Sequence, residues 1–211
     1  MKALLIGLAL FVCSCVPNQA ASSQHPPEPA SPKSVVLQVQ DVPALHKCPQ
    51  SESWAGLMLT GRPEMLPTGM TNWSNLQAAG ATDGWLSLFA EDVPECPLLL
   101  SNTSPKGRLV YTAAIKFEDA THAIADYASD SRGFPVAADF LPRFTAAGGK
   151  LTEGSGTGLG DHSVIATITL RGIPTVVVFW QKKNFEAVVY ASNVSDSEGG
   201  SAAARMNDRI H

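Results

Sequence analysis

The sequence predicts an α+β domain, an antiparallel β-sheet with helices packed on one face, and three stretches carry that prediction. Asp161 to Ser192 reads as three consecutive antiparallel strands. Leu109 to Phe117 reads as a further strand, followed at once by an amphipathic helix. A last helix, capped by Ser197 or Ser201, ends the chain.

At the start of the chain, Lys2 precedes the apolar stretch Ala3 to Val12, which has the length of a secretory signal core and is too short to span a bilayer. The segment Val12-Cys13-Ser14-Cys15 that follows resembles the lipobox of bacterial lipoproteins, with Val12 in place of the commoner Leu and Ser14 at the small position. The resemblance implies a signal peptide over residues 1–14 and a lipidated Cys15 as first residue of the mature chain. Several acyl chains on one cysteine make a firm membrane anchor, since each buried methylene contributes about 0.8 kcal/mol. On that reading Cys48 and Cys96 are the cysteines left, in a compartment where disulfides persist, and they are expected to pair. A metal site at His46 and Cys48 would have too few ligands.

Residues 15–34 are rich in Pro, Ala and Ser, including His25-Pro26-Pro27-Glu28-Pro29, a composition that forms an extended tether rather than a core. One extracytoplasmic α+β domain is expected over residues 35–211, beginning with strand-like Val35 to Val39. Beyond it, Trp54, Leu57, Met58 and Leu59 lie among Pro43, Pro49, Pro63 and Pro67, which forbid a long regular element. Asn72 or Thr71 can cap a short helix through Trp73 and Leu76, with Gly80 ending it. Trp85 to Phe89 reads as a short core segment.

In the second half, Leu109, Tyr111, Ala113, Ile115 and Phe117 alternate with Val110, Thr112, Ala114 and Lys116. Glu118 and Asp119 then start a helix whose Ala120, Ala123, Ile124, Tyr127 and Ala128 form one stripe. Pro142 should interrupt the segment around Phe140 and Phe144, and the glycine-rich stretch to Gly160 reads as a mobile surface loop. Val164, Ala166, Ile168 and Leu170 define one face of a strand. Thr175 to Trp180 is apolar on both faces and so reads as a central strand, and Lys182-Lys183-Asn184 turns the chain into Phe185 to Ser192.

The chain has 211 residues, 15 basic and 19 acidic, and no basic cluster beyond Lys182-Lys183, which argues against a nucleic-acid partner. Chemistry is sparse. Gly154, Gly156 and Gly158 miss the dinucleotide spacing because Leu159 occupies the sixth position. His122 and Asp126 sit one turn apart and are expected to face solvent; Asp161 and His162 mark a strand entrance, where binding residues often lie. No catalytic, cofactor-binding or metal-ligating residue is assigned.

Gly160-Asp161, the hairpin from Ile173 to Ala191 and Asp208-Arg209 together resemble the final part of extracytoplasmic lipoproteins and sensor-like domains of actinobacteria and similar bacteria. The resemblance implies a fold and an envelope location, with no catalytic residue to transfer. The expected function is that of a membrane-anchored binding, sensing or envelope-interaction module without enzymatic activity. Its partners would be the membrane, through the lipid, and an envelope protein or small apolar ligand. A carrier of an apolar or lipid ligand, lined by Trp54, Trp73, Trp85 and Trp180, is one alternative; a hydrolase using His122 or His162 is the other.

Overall fold

The computed structural model describes residues 30–51, 73–100, 106–130, 140–170 and 172–211. Cys15, the signal segment and Trp54 lie outside the described residues. The order is α1 (Pro32–Val35), β1 (His46–Lys47), α2 (Trp73–Ala78), β2 (Ala81–Ala90), β3 (Leu109–Phe117), α3 (Ala120–Asp130), α4 (Phe140–Ala146), β4 (Lys150–Glu153), β5 (Ser163–Leu170), β6 (Ile173–Lys182), β7 (Phe185–Ser192) and α5 (Asp196–Asp208). The strands form one seven-stranded sheet in the order β1-β2-β3-β7-β6-β5-β4, and every neighbouring pair is antiparallel.

This is the α+β class that the alternation predicts, and β5, β6 and β7 are the three strands read from Asp161 to Ser192. Helices cover both faces of the sheet, whereas one face was expected. The cause lies in β6, which is apolar on both sides. Val176, Val178 and Trp180 join the core beneath α5, while Phe179 points the other way and stacks on Tyr127 of α3 at 4.9 Å. A central strand of this kind needs a cover on each side.

Four local readings change. Val35 to Val39 is not a strand. Ser31 and Ser34 form a capping box with Pro32 in the first turn, so α1 forms there, and a short 3-10 turn follows at Val39–Asp41. Ala30, Pro32 and α1, inside the stretch assigned to the tether, thus pack against the domain, and Ala30 is itself buried. Pro142 does not interrupt α4, because it falls in the first turn, where its missing N–H has no partner to lose. The glycine-rich stretch is anchored rather than loose: Lys150–Glu153 forms edge strand β4, and the Ser163 hydroxyl donates to the Gly154 carbonyl at 3.0 Å. Ser195 caps α5, in place of Ser197 or Ser201, because Glu198 stands three residues on and completes a capping box.

Gly199 explains how α5 reaches the sheet. A Cβ there would lie 2.7 Å from the Val176 side chain, so only a glycine allows this approach.

Candidate functional site: a cleft between the N-terminal segment and the last helix

The first described segment crosses the α5 side of the sheet from one end to the other. It begins where the Ala30 carbonyl accepts a hydrogen bond from Lys116 Nζ at 3.4 Å, beside the Asp83–Lys116 register. It ends where His46 pairs with Ala90, which itself faces Leu109. Val35, Val36 and Leu37 are fully buried on the way, so the segment is part of the core.

Its last part is clamped to α5. The Arg209 guanidinium holds both oxygens of Asp41 at 2.6 and 2.7 Å and also donates to the Val36 carbonyl at 3.0 Å. Arg205 donates to the Asp41 carbonyl, and the Gln38 amide donates to the Asp41 carboxylate at 2.6 Å. Both carboxylate contacts come from Nη2, while Nη1 of the same planar guanidinium takes the Val36 carbonyl, so this charge-assisted contact ties Asp41 and Val36 together to the end of α5. Asp41 to Leu45 thereby stands as a wall opposite Ser197, Ser201, Ala202 and Arg205 of α5, with a cleft of about 260 Å³ between them.

Val110, Ala191 and Val194 form its apolar floor. Arg108 lies at the mouth, with Glu91 Oε1 at 3.7 Å and Glu198 Oε1 at 3.9 Å. The other oxygen of each carboxylate is already committed: Glu91 Oε2 accepts from the Arg108 amide at 2.9 Å, and Glu198 Oε2 accepts from the Ser195 amide and hydroxyl at 2.8 Å. Those bonds from Ser195, with a smaller contribution from Arg108, hold the Glu198 carboxyl below its ordinary pKa.

The residues singled out from sequence lie elsewhere. Asp126 is buried rather than solvent-facing, because the inward stripe of α3 runs through Ala123, Asp126 and Tyr127 and leaves Ile124 exposed. His122 pairs with Asp119 at 3.0 Å instead of Asp126, and its ring covers Gly80, where a Cβ would lie 2.7 Å from it. Asp119 also caps α3 by accepting from the Thr121 and His122 amides, and its bonds with the His122 amide and then the His122 ring, with Thr121 adding least, hold its carboxyl below the usual range. His162 is exposed and meets Tyr127 edge-on at 5.8 Å. Burial, with the carboxylates of Glu153 and Glu186 adding, pushes the Tyr127 hydroxyl up to about 12. Asp126 and Glu186 are both buried and both have interaction partners. His162, Tyr127 and Glu153 are thus brought together, while His122 stands apart with Asp119.

Cys48 and Cys96 form a disulfide that ties the end of the N-terminal segment to the 3-10 turn after β2. With its thiol engaged, Cys48 cannot serve as a metal ligand beside His46. Trp180 is fully buried core, Trp73 and Trp85 are half-buried, and none of the three lines the cleft. Among the described residues, no helix is long and apolar enough to cross a membrane.

The fold is similar to a solved structure, the extracellular domain of PknH from Mycobacterium tuberculosis. The two superpose with a TM-score of 0.51 over 87% of this chain and 97% of that one, at 14% sequence identity. At that identity the likeness is one of fold. No family model matches the chain, and no curated protein matches it.

Sequence reasoning missed Arg108, Asp41, Glu198 and Arg209 as site-building residues. Two signals for them were present. Ser195-x-x-Glu198 is a readable capping box, and Asp208-Arg209 had been marked by resemblance without a role.

Proposed function

We propose that the chain is a lipid-tethered extracytoplasmic module that binds a ligand in the cleft between Asp41–Leu45 and α5 and catalyses no reaction of its own. The cleft carries the reading: its walls are fixed by a half-buried ion pair, its floor is apolar and its mouth is charged, the usual composition of a small-molecule site. The disulfide suits an exported protein. The extracellular location named for the similar PknH domain supports the same side of the membrane.

In this reading Cys15 bears the lipid, the membrane is one partner, and an envelope protein or small ligand with an apolar part is the other. Nucleic acid is not a partner. A carrier built on the tryptophans is less well supported, because Trp180 is used up in the core. A hydrolase is less well supported because His122 is engaged with Asp119 in holding the start of α3. Mass spectrometry of the mature N-terminus, on protein extracted from membranes, is expected to find diacylglyceryl and N-acyl groups on Cys15. An unmodified terminus, or cleavage at another residue, sinks the tether.

A further inference from the structure

We propose that the cleft takes a free monocarboxylate with an apolar body, held through the Arg205 guanidinium, an inference that rests on the cleft being the binding site. The charges along the cleft are unevenly matched. The Asp41 carboxylate is answered from behind by Arg209 and by the Gln38 amide. At the mouth Arg108 stands between Glu198 and Glu91, at 3.9 and 3.7 Å, and Ser195 holds the other oxygen of Glu198. Arg205 differs: among the described residues it forms no ion pair. Its Nη1 donates to the Asp41 carbonyl, which fixes its place on the wall and leaves Nε and Nη2 without an acceptor there.

Nε and Nη2 form one planar edge of a guanidinium, and two parallel donors of that kind match the two oxygens of a carboxylate. Ser201 lies one helical turn before Arg205 and Ser197 one turn before Ser201, both on the cleft wall, and neither hydroxyl makes a hydrogen bond among the described residues. Beyond Glu198, the α5 wall therefore presents hydroxyls and a guanidinium and no carboxylate. Glu198 stands seven residues from Arg205, about 10 Å along the helix at 1.5 Å per residue, so an anion on Arg205 is clear of it. A second negative charge on the ligand is disfavoured, because the mouth holds two carboxylates for one guanidinium.

The floor decides the remainder of the ligand. Val110, Ala191, Val194 and Ala202, all buried, present methyl groups and no polar side-chain atom, and Val42 and Leu45 add apolar surface from the opposite wall. A polar body lying there would lose its water without replacement, whereas an apolar one gains by leaving water. A lipid phosphodiester carries the same single charge as a carboxylate, and the experiment separates the two.

Calorimetric titration of the mature chain in non-ionic detergent micelles tests this with hexanoate, hexan-1-ol, hexylammonium and dihexanoylphosphatidylglycerol. Hexanoate should bind saturably, at least about tenfold more tightly than any of the other three, the factor for one charge-assisted contact. Arg205→Gln should bring hexanoate down to the affinity of hexan-1-ol and leave hexan-1-ol itself unchanged, whereas a merely structural role at the Asp41 carbonyl would weaken both alike. Ser201→Trp, at an exposed position on the cleft wall, should abolish binding of both. Equal or tighter binding of one of the other probes, a hexanoate preference that persists in Arg205→Gln, or equal weakening of both probes by that substitution overturns the monocarboxylate. In each of those cases a block by Ser201→Trp keeps the cleft as the binding site. Binding that survives Ser201→Trp, or no binding of any probe, removes the cleft as well.

Discussion

The two faces of the sheet are filled by different means. Under α3, polar groups enter the interior: Glu186, Gln181 and Asp126 are all buried, beside the ring contacts of Phe179, Tyr127 and His162. Under α5 the core is apolar, built from Trp180, Val176, Leu37, Met206 and Ile210, and the charges stand at its rim. The face richer in polar side chains thus buries them within its packing. The face with little chemistry in its residue types keeps a cleft, because Ser197, Ser201, Ala202 and Ala191 supply too little volume to close it. A binding site can arise from missing side-chain volume as readily as from reactive groups.

Substitutions that act on the edge, the clamp and the helix separate these contributions. The largest effect is expected from replacing Cys48 and Cys96 by Ala. The disulfide spans 48 residues, for which chain entropy gives about 4 kcal/mol, and denaturant unfolding should show a loss of about 2–4 kcal/mol. Because the bridge lies among the α2-side core residues, the clamp between Asp41 and Arg209 on the α5 side should stay formed below the new midpoint.

Arg209→Ala comes next. It strips the partner from Asp41, whose side chain is only 8% exposed, and should lower stability by about 2–3 kcal/mol, below the full range for a buried pair because Arg209 is 26% exposed. Adding Asp41→Ala should recover part of that loss in a double-mutant cycle. Strict additivity would mean that the two do not act as a pair.

Adjacent glycines in α5 should then respond with opposite sign. Gly199→Ala forces a methyl to within 2.7 Å of Val176 and should destabilise by about 1–2 kcal/mol. Gly200→Ala meets nothing within 4 Å and should stabilise by about 0.5–1 kcal/mol through helix propensity. Matching signs would contradict the close seat of α5 on β6.

The smallest effect concerns Ser195→Ala, expected to remove about 1 kcal/mol with the cap. Glu198 has its folded-state pKa lowered, so its contribution is present above the unfolded carboxylate value and disappears as pH falls through the lowered one. The variant should therefore flatten part of the acid limb of a stability–pH profile; an unchanged limb would remove Ser195 as the cause.

Much of the fold was legible in the sequence. Period-two alternation marks β3, β5 and β7, and the double-sided apolar run of β6 places it inside the sheet. The same double-sidedness implied a helix on each face, an implication that the one-face expectation did not follow. Edge strand β4 was hidden because Lys150 to Glu153 is short and flanked by glycines, so pairing with β5 decides its form more than its own composition does. In Val35 to Val39, β-branched composition suggested a strand, but capping at Ser31 and burial against β2 and β3 override it. The cleft was the least legible part. Asp41 and Arg209 stand 168 residues apart, and no local pattern announces that one holds the other.

Hydrogen exchange tests most directly whether the cleft, rather than the His162 cluster, is where this protein meets its ligand. Protein extracted gently from membranes would be compared with the same protein stripped of ligand by unfolding and refolding. The account predicts added protection in the ligand-bearing sample at residues 41–45, 108–110 and 191–202, with none around Tyr127 and His162. Protection gathered at Tyr127, Glu153 and His162, with the cleft amides unchanged, would contradict it.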